Sequence, residues 1–340
     1  MIDPVLDTLL LPFDDGLIDW PQSPALFLRA RYGHALQSLD KTKLIADQSF
    51  RPDFETLKRA GFTVRDHDDG ATYPLVLVLP PRQREEYRAL LARAIKATQP
   101  GGIVLACVSN LEGAKTVEND LKALTGNIAS LSKNKCRAFW ATVDEGRDTD
   151  LIEAWSQLDA PRPVVDGRFI SRPGLFAWDR LDDGSQFLVK NLPVLSGVGA
   201  DLGGGFGYLT DEMLRASPDV TRIDLYEAER RALDSAAENL KTFGDRVTLH
   251  WADVTKGITG GLDFIVANPP FHTGRADRNE LGQAFIRSAA AALKPGGAFY
   301  MVANRHLPYE ETLKAAFRTA VLLAENTHYK VYKAIKGSAK

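Results

Sequence analysis

Leu262-Asp263-Phe264-Ile265-Val266-Ala267-Asn268-Pro269-Pro270 is an apolar run stopped by two prolines, and the chain contains this phrase twice. Its counterpart is Tyr73-Pro74-Leu75-Val76-Leu77-Val78-Leu79-Pro80-Pro81. After Pro81 come a charged, helix-favouring stretch from Arg82 to Ala97, then Pro100-Gly101-Gly102, the apolar run Ile103 to Val108, and Asn110. After Pro270 the order recurs as Glu280 to Leu293, Pro295-Gly296-Gly297, Ala298 to Val302, and Asn304. Upstream, Lys43 to Phe62 matches Thr221 to Gly244; downstream, Lys135 to Trp140 sits where Lys330 to Ala334 sits. Short apolar runs alternating with longer helical patterns mark βαβ units on a parallel sheet. Two similar series predict an α/β protein of two domains arising by duplication, 1–157 and 158–340. The Pro/Gly-rich stretch from Ala160 to Gly174 reads as the linker and the entry to the second domain.

The bulk composition agrees. A chain of 340 residues is long enough for two domains, and 44% hydrophobic with 25% charged residues is ordinary for a globular protein. Forty-two basic against 44 acidic side chains leave a net charge of −2, which argues against coating nucleic acid by bulk charge and permits a local basic patch. The two cysteines, Cys107 and Cys136, supply neither a disulfide framework nor a cysteine zinc site, and they sit in β-like runs as buried spectators. No metal site is expected. Met1-Ile2-Asp3-Pro4 is unlike the start of a signal peptide, and no apolar run approaches the ~18 residues of a membrane span. These features predict a cytoplasmic protein.

The halves differ in one respect that bears on function. The second carries Asp201-Leu202-Gly203-Gly204-Gly205-Phe206-Gly207, a strand-to-helix turn with glycines at alternate positions, whereas Arg31-Tyr32-Gly33-His34 offers a single glycine. Such a turn lets backbone come close to a ligand. The spacing G-x-G-x-G departs from the G-x-G-x-x-G of dinucleotide sites. Glu227 and Asp253 stand where the next two strands should end. A carboxylate after the second strand suits two ribose hydroxyls, and one after the third suits an exocyclic adenine amine; either residue also reads as a helix N-cap. The ligand site therefore belongs to the second domain.

Asn268-Pro269-Pro270-Phe271 bears on the chemistry. An amine on a nucleobase is a poor nucleophile, because its lone pair is delocalised into the ring. The Asn268 side-chain oxygen and the Pro269 carbonyl would accept its two N–H bonds and aim the nitrogen, while the prolines stiffen the turn. Phe271 offers a stacking face for a base, worth about 1–3 kcal/mol. The first domain keeps the prolines but has Leu79 and Arg82 in place of Asn268 and Phe271. Read alone, Asn-Pro-Pro is also a simple strand terminator.

Taken together, Asp201-x-Gly203-x-Gly205-x-Gly207, Glu227, Asp253 and Asn268-Pro269-Pro270-Phe271 resemble the class I S-adenosylmethionine (SAM) dependent methyltransferases. More narrowly, the chain resembles the bacterial ribosomal RNA guanine-N2 methyltransferases of the RsmC and RlmG type. Pro173 to Phe176, Asp183 to Leu188, His272 after the tetrad, Val302 to Tyr309 and Lys330 to Ala334 carry that likeness across about residues 170 to 336. Two departures are mild: Gly204 stands where relatives often have Cys or Ser, and Glu227 where Asp is commoner.

The resemblance implies two tandem Rossmann-like methyltransferase domains. The first would be degenerate, serving RNA docking or structural support. It implies SAM as cofactor and methyl transfer to a guanine N2 in ribosomal RNA, the small subunit favoured, with ribosomal RNA or a ribosomal subunit as partner and no oligomer required. Gln186, in the Asp183-Gly184-Ser185-Gln186 turn, would lie at the methionine end of SAM. The same tetrad serves adenine N6 and glutamine amides elsewhere, so those remain alternatives, as does a non-catalytic SAM-binding RNA chaperone. His272, Arg275 and Arg278 follow the tetrad and are expected to meet RNA phosphates; Lys133, Lys135 and Arg137 form a basic cluster in the first domain. Basic side chains of either group also read as simply solvated.

Overall fold

In the computed structural model, residues 3–270 and 275–338 are described, with residues 275–278 as backbone only. Met1–Ala160 and Pro161–Lys340 form separate compact units. The first contains β1 (Ala25–Leu28), β2 (Leu44–Asp47), β3 (Thr63–Arg65), β4 (Tyr73–Val78), β5 (Thr98–Ser109), β6 (Ala129–Lys133) and β7 (Cys136–Thr142). Its helices are α1 (Pro4–Asp14), α2 (Arg51–Arg59), α3 (Arg84–Lys96), α4 (Ala114–Thr125) and α5 (Thr149–Ser156). The strands make one sheet in the order β3-β2-β1-β4-β5-β7-β6, parallel except for β7, which runs antiparallel to both its neighbours.

The second unit opens with a hairpin of β8 (Arg162–Val164) and β9 (Phe169–Ser171). Then follow α6 (Asp183–Asn191), β10 (Gly197–Leu202), α7 (Tyr208–Ala216), β11 (Val220–Glu227), α8 (Arg230–Leu240), β12 (Val247–Trp251) and β13 (Leu262–Ala267). It ends with α9 (Arg275–Ala292), β14 (Leu293–Asn304), α10 (Glu310–Ala316), β15 (Thr319–Glu325) and β16 (Tyr329–Ile335). Its main sheet has the order β12-β11-β10-β13-β14-β16-β15, the same topology as the first. The expected duplication is thus present as two seven-stranded, Rossmann-like sheets.

The central strands are mostly apolar because helices cover both faces of the sheet. Along β13, Phe264 and Val266 pack with Leu188 and Leu209, while Ile265 and Ala267 pack with Phe285 and Ile286 on the other side. β4 divides likewise, Leu75 and Leu77 to one layer and Val76 and Val78 to the other. Cys107 and Cys136 are buried and unpaired, as the β-like runs around them suggested.

Strand register refines the sequence match. Leu28 lies opposite Val78, and Leu202 opposite Ala267, so Leu79 occupies the place of Asn268. Val78 pairs with Ala106 and Ala267 with Met301, which puts Ser109, rather than Asn110, at the position of Asn304. Ser109 and Asn304 then pair with Cys136 and Tyr329, so the last two strands correspond two residues out of the step read from sequence. Helix α9 starts at Arg275, ahead of the expected Glu280. The supposed linker is in part ordered. Val165 and Asp166 take left-handed φ of 52° and 54° and turn the β8–β9 hairpin, an arrangement that Pro-rich composition hides.

Candidate active site

The order of the second sheet reverses between β10 and β13, the place where open α/β sheets bind ligands beyond the carboxyl ends of the strands. Asp201 lies near the end of β10 with no exposed surface. Its Oδ2 accepts from Thr210 Oγ1 at 2.8 Å, and its Oδ1 is buried with no hydrogen-bond partner. Burial pushes its pKa up to about 7, the Glu227 charge adding to the rise and the Thr210 bond opposing it.

Beyond Asp201 the glycine loop folds back on β11. The N–H groups of Gly203 and Gly204 donate to the Tyr226 carbonyl at 2.8 and 3.2 Å, and Gly205 N–H donates to Glu227 Oε2 at 2.9 Å. Gly205 has φ +56°, and a side-chain carbon added there would meet nothing within 4 Å, so it faces open space. Gly204 is different. A Cβ there would stand 2.5 Å from Leu225 Cγ, which explains why glycine stands at this position.

Glu227 ends β11, and its Oε1 accepts from Glu229 N–H at 2.8 Å. Burial raises its pKa, against the stabilising bonds from Glu229 and Gly205. It bridges the glycine loop to the turn after β11. Asp253 follows β12, and its Oδ1 accepts from Thr255 N–H and Oγ1 at 2.9 and 2.6 Å, so it caps a short helical turn.

Asn268 follows β13 directly. Its Nδ2 donates to Asp182 Oδ2 and to Ser185 Oγ, each at 2.8 Å. Both partners come from the start of α6, where Asp182 is the N-cap and accepts from Ser185 N–H at 2.8 Å. Asn268, Asp182, Ser185, Gly203, Gly204 and Gly205 share one cleft with Phe176 and Phe206, about 430 Å³ counted out to its open mouth. Next to Asn268, Pro269 is buried and Pro270 exposed. Gln186 is one residue beyond Ser185, and its amide turns back to the Leu181 carbonyl at 3.2 Å.

Phe271 and His272 lie outside the described residues, as do the side chains of Arg275 and Arg278 in the first turn of α9. In the first unit, Arg137 is committed to Glu118 at 2.9 Å, and the basic cluster is reduced to Lys133 and Lys135 beside a tight hairpin turn.

Sequence reading missed three contributors. Asp182 and Ser185 meet Asn268 across 86 and 83 residues of chain, and D-x-x-S announces only a helix start. Asn239 on α8 bonds the N–H and carbonyl of Ile170 and the carbonyl of Phe206, tying the β8–β9 hairpin to the glycine loop. An Asn on a helix face carries no signal of such a role.

The residues fit SAM. The unpartnered Asp201 oxygen and the open space over Gly205 lie at the loop, and Glu227 and Asn268 stand at the carboxyl ends of β11 and β13 on either side of β10. Among the described residues no group of His, Cys, Asp and Glu is placed to hold a metal ion, and no helix is long and apolar enough to cross a membrane.

Comparison with known proteins agrees with this geometry. The family described as "Methyltransferase small domain" matches residues 166–333. The "Ribosomal RNA small subunit methyltransferase C" of Shewanella pealeana is 30% identical over 268 residues, 78% of this chain and 78% of that protein. Its namesake from Shewanella piezotolerans is 30% identical over 267 residues, 77% of each. The solved structure of the T. thermophilus 16S rRNA N2 G1207 methyltransferase (RsmC), in complex with AdoMet and guanosine, matches with a TM-score of 0.80. That match has 25% identity and covers 98% of this chain and 92% of that one. At such identity across most of both sequences, the chain belongs to the ribosomal RNA small subunit methyltransferase C family, enzymes that use SAM as methyl donor.

Proposed function

We propose that the protein transfers the methyl group of SAM to the exocyclic N2 of a guanine in small-subunit ribosomal RNA, at the position corresponding to the G1207 named for its T. thermophilus neighbour. The observation that carries this reading is the fixed amide of Asn268 on the wall of the glycine-loop cleft. SAM, when bound, supplies a methyl carbon already activated by the adjoining sulfonium. The protein's task is then to position and desolvate the amine.

Asn268 Oδ1 and the Pro269 carbonyl accept the two N–H bonds of the guanine amine. As positive charge grows on nitrogen during attack, both acceptors bind it more strongly, which lowers the barrier selectively. The product ammonium is acidic and loses its proton to water, so no strong base is required. Asp201, the glycine loop and Glu227 hold the cofactor, with Asp253 and Gln186 at its ends. Phe271 stacks on the base, while His272, Arg275 and Arg278 contact phosphates. Because N2 lies in the minor groove of a paired base, the target guanine is unpaired or flipped. The first unit serves docking or support, and the enzyme acts in the cytoplasm where its RNA is made.

The test is transfer of labelled methyl from SAM to small and large subunits and to their naked RNAs, followed by digestion to nucleosides. N2-methylguanosine from the small-subunit substrate is the expected product. Label in N6-methyladenosine, or in protein alone, overturns the guanine assignment.

A further inference from the structure

An amide can accept a substrate amine only if its oxygen faces that amine. Rotating Asn268 by half a turn about its last bond would replace an acceptor with an N–H donor and repel the substrate. We propose that Asp182 and Ser185 are positioning residues that hold the Asn268 amide with its carbonyl toward the substrate, so that the start of α6 makes the tetrad competent. This rests on the amine-transfer reading given above.

The chemistry of the pair fixes the sense of the amide. An ionised carboxylate accepts hydrogen bonds and cannot donate them, so the Asn268 atom 2.8 Å from Asp182 Oδ2 must be the nitrogen. Ser185 Oγ takes the other N–H at 2.8 Å. Both N–H bonds are thereby engaged, and what Asn268 has left to offer is the lone pairs of Oδ1. Asp182 is itself held by the Ser185 N–H at 2.8 Å, so the clamp is built into the helix terminus.

The duplicated half supplies an internal control. Like α6, α1 packs on the fifth and seventh strands of its sheet. Asp3 is its N-cap, accepting from Val5 and Leu6 N–H, as Asp182 is for α6. Three residues on, where α6 has Ser185, α1 has Leu6, and Leu79 stands for Asn268. The helix cap survived, and the hydroxyl and amide vanished together. In the absence of an amide to hold, Asp3 turned to Arg31, 2.9 Å away, which by register stands at the place of Gly205. Ser185 is buried in the active unit, and its apolar counterpart shows that a helix on this sheet needs no hydroxyl there.

One oxygen, Asp182 Oδ2, accepts from both the Ser185 N–H and the Asn268 NH2. The test is Asp182→Gly, because Gly at a helix N-cap costs only a few tenths of a kcal/mol and leaves α6 intact while removing that oxygen. At saturating SAM and RNA, kcat is expected to fall by about 30-fold, while SAM affinity changes less than about twofold. Asp182→Asn is the conservative variant: its side-chain oxygen must take the place of Oδ2, since an NH2 there would face two donors. It is expected to hold kcat within about threefold of the wild type. Should Asp182→Gly fail to fold by circular dichroism, Ser185→Ala tests the clamp without touching the cap, with a kcat loss of about tenfold expected.

An unchanged kcat in folded Asp182→Gly or Ser185→Ala, or an Asp182→Asn that loses as much as Asp182→Gly, overturns the proposal. A raised SAM dissociation constant with kcat intact also overturns it and assigns the pair to the cofactor. Product identity is read on the wild type in the same assay. A labelled amine other than guanine N2 would therefore overturn the parent reading while the comparison of variants still decides the clamp.

Discussion

Both N–H bonds of Asn268 are committed to Asp182 and Ser185, so truncating this side chain removes the acceptor proposed for the substrate amine without touching the glycine loop. Asn268→Ala is expected to abolish methyl transfer and leave SAM affinity, read by equilibrium titration, nearly unchanged; equal loss of both would refute the assigned role. Asp201 makes a different prediction. Its folded pKa is raised from 3.8 to about 7, so the neutral form is favoured in the fold. Stability from this group is complete below its unfolded pKa and is lost as pH rises through about 7. The ligand-free protein should melt lower at alkaline than at mildly acidic pH. Asp201→Asn should flatten that dependence by roughly 5 °C or more in Tm across the same range. An unaltered slope in the Asp201→Asn variant would place the titration elsewhere.

At the scale of elements, the glycine loop and the hairpin before it form one construction. Gly205→Ala meets no atom within 4 Å but must adopt φ +56°. The backbone cost is about 1–2 kcal/mol, whereas the added methyl enters the cleft, so SAM binding should fall by more than the Tm does. Gly204→Ala reverses the balance, since its Cβ would collide with Leu225 and destabilise the fold by about 1–3 kcal/mol. Urea unfolding of the two variants beside SAM titration separates the cases. Asn239→Ala removes three bonds between α8, Ile170 and Phe206 and should cost about 2–3 kcal/mol while also weakening SAM binding. A purely local loss of stability would show that the hairpin does not support the loop.

For the molecule as a whole, the two units show which parts of one architecture chemistry requires. Gln48 stands at the place of Glu227, and its Oε1 still accepts from the N–H two residues on, Phe50, at 2.8 Å. Its Nε2 instead donates to the Ala30 carbonyl at 2.6 Å, an internal tie where Glu227 accepts from Gly205 N–H. Arg29, at the place of Gly203, keeps a left-handed φ of 51°, which preserves the turn without the glycine. With Arg31 filling the place of Gly205, SAM should bind at a single site per chain by calorimetry. Gln48→Glu should not create a second, because Arg31 still stands at the place of Gly205, bonded to Asp3; a second site in that variant would show the first unit to be only one residue from function.

The duplication, the strand carrying the tetrad, the glycine loop and the family were all legible in the chain before any folding was considered. Each is written in contiguous residues whose apolar period, prolines and glycines act locally on the backbone. Leu79 and the missing glycines likewise mark the first unit as a lapsed copy. Folding had to add that Asp182 and Ser185 grip Asn268, that Asn239 ties hairpin to loop, and that Arg137 answers to Glu118. Those contacts join residues far apart in the chain through side-chain hydrogen bonds, and such bonds leave no periodic trace. Their partners become neighbours only after the sheet has brought the ends of its strands together.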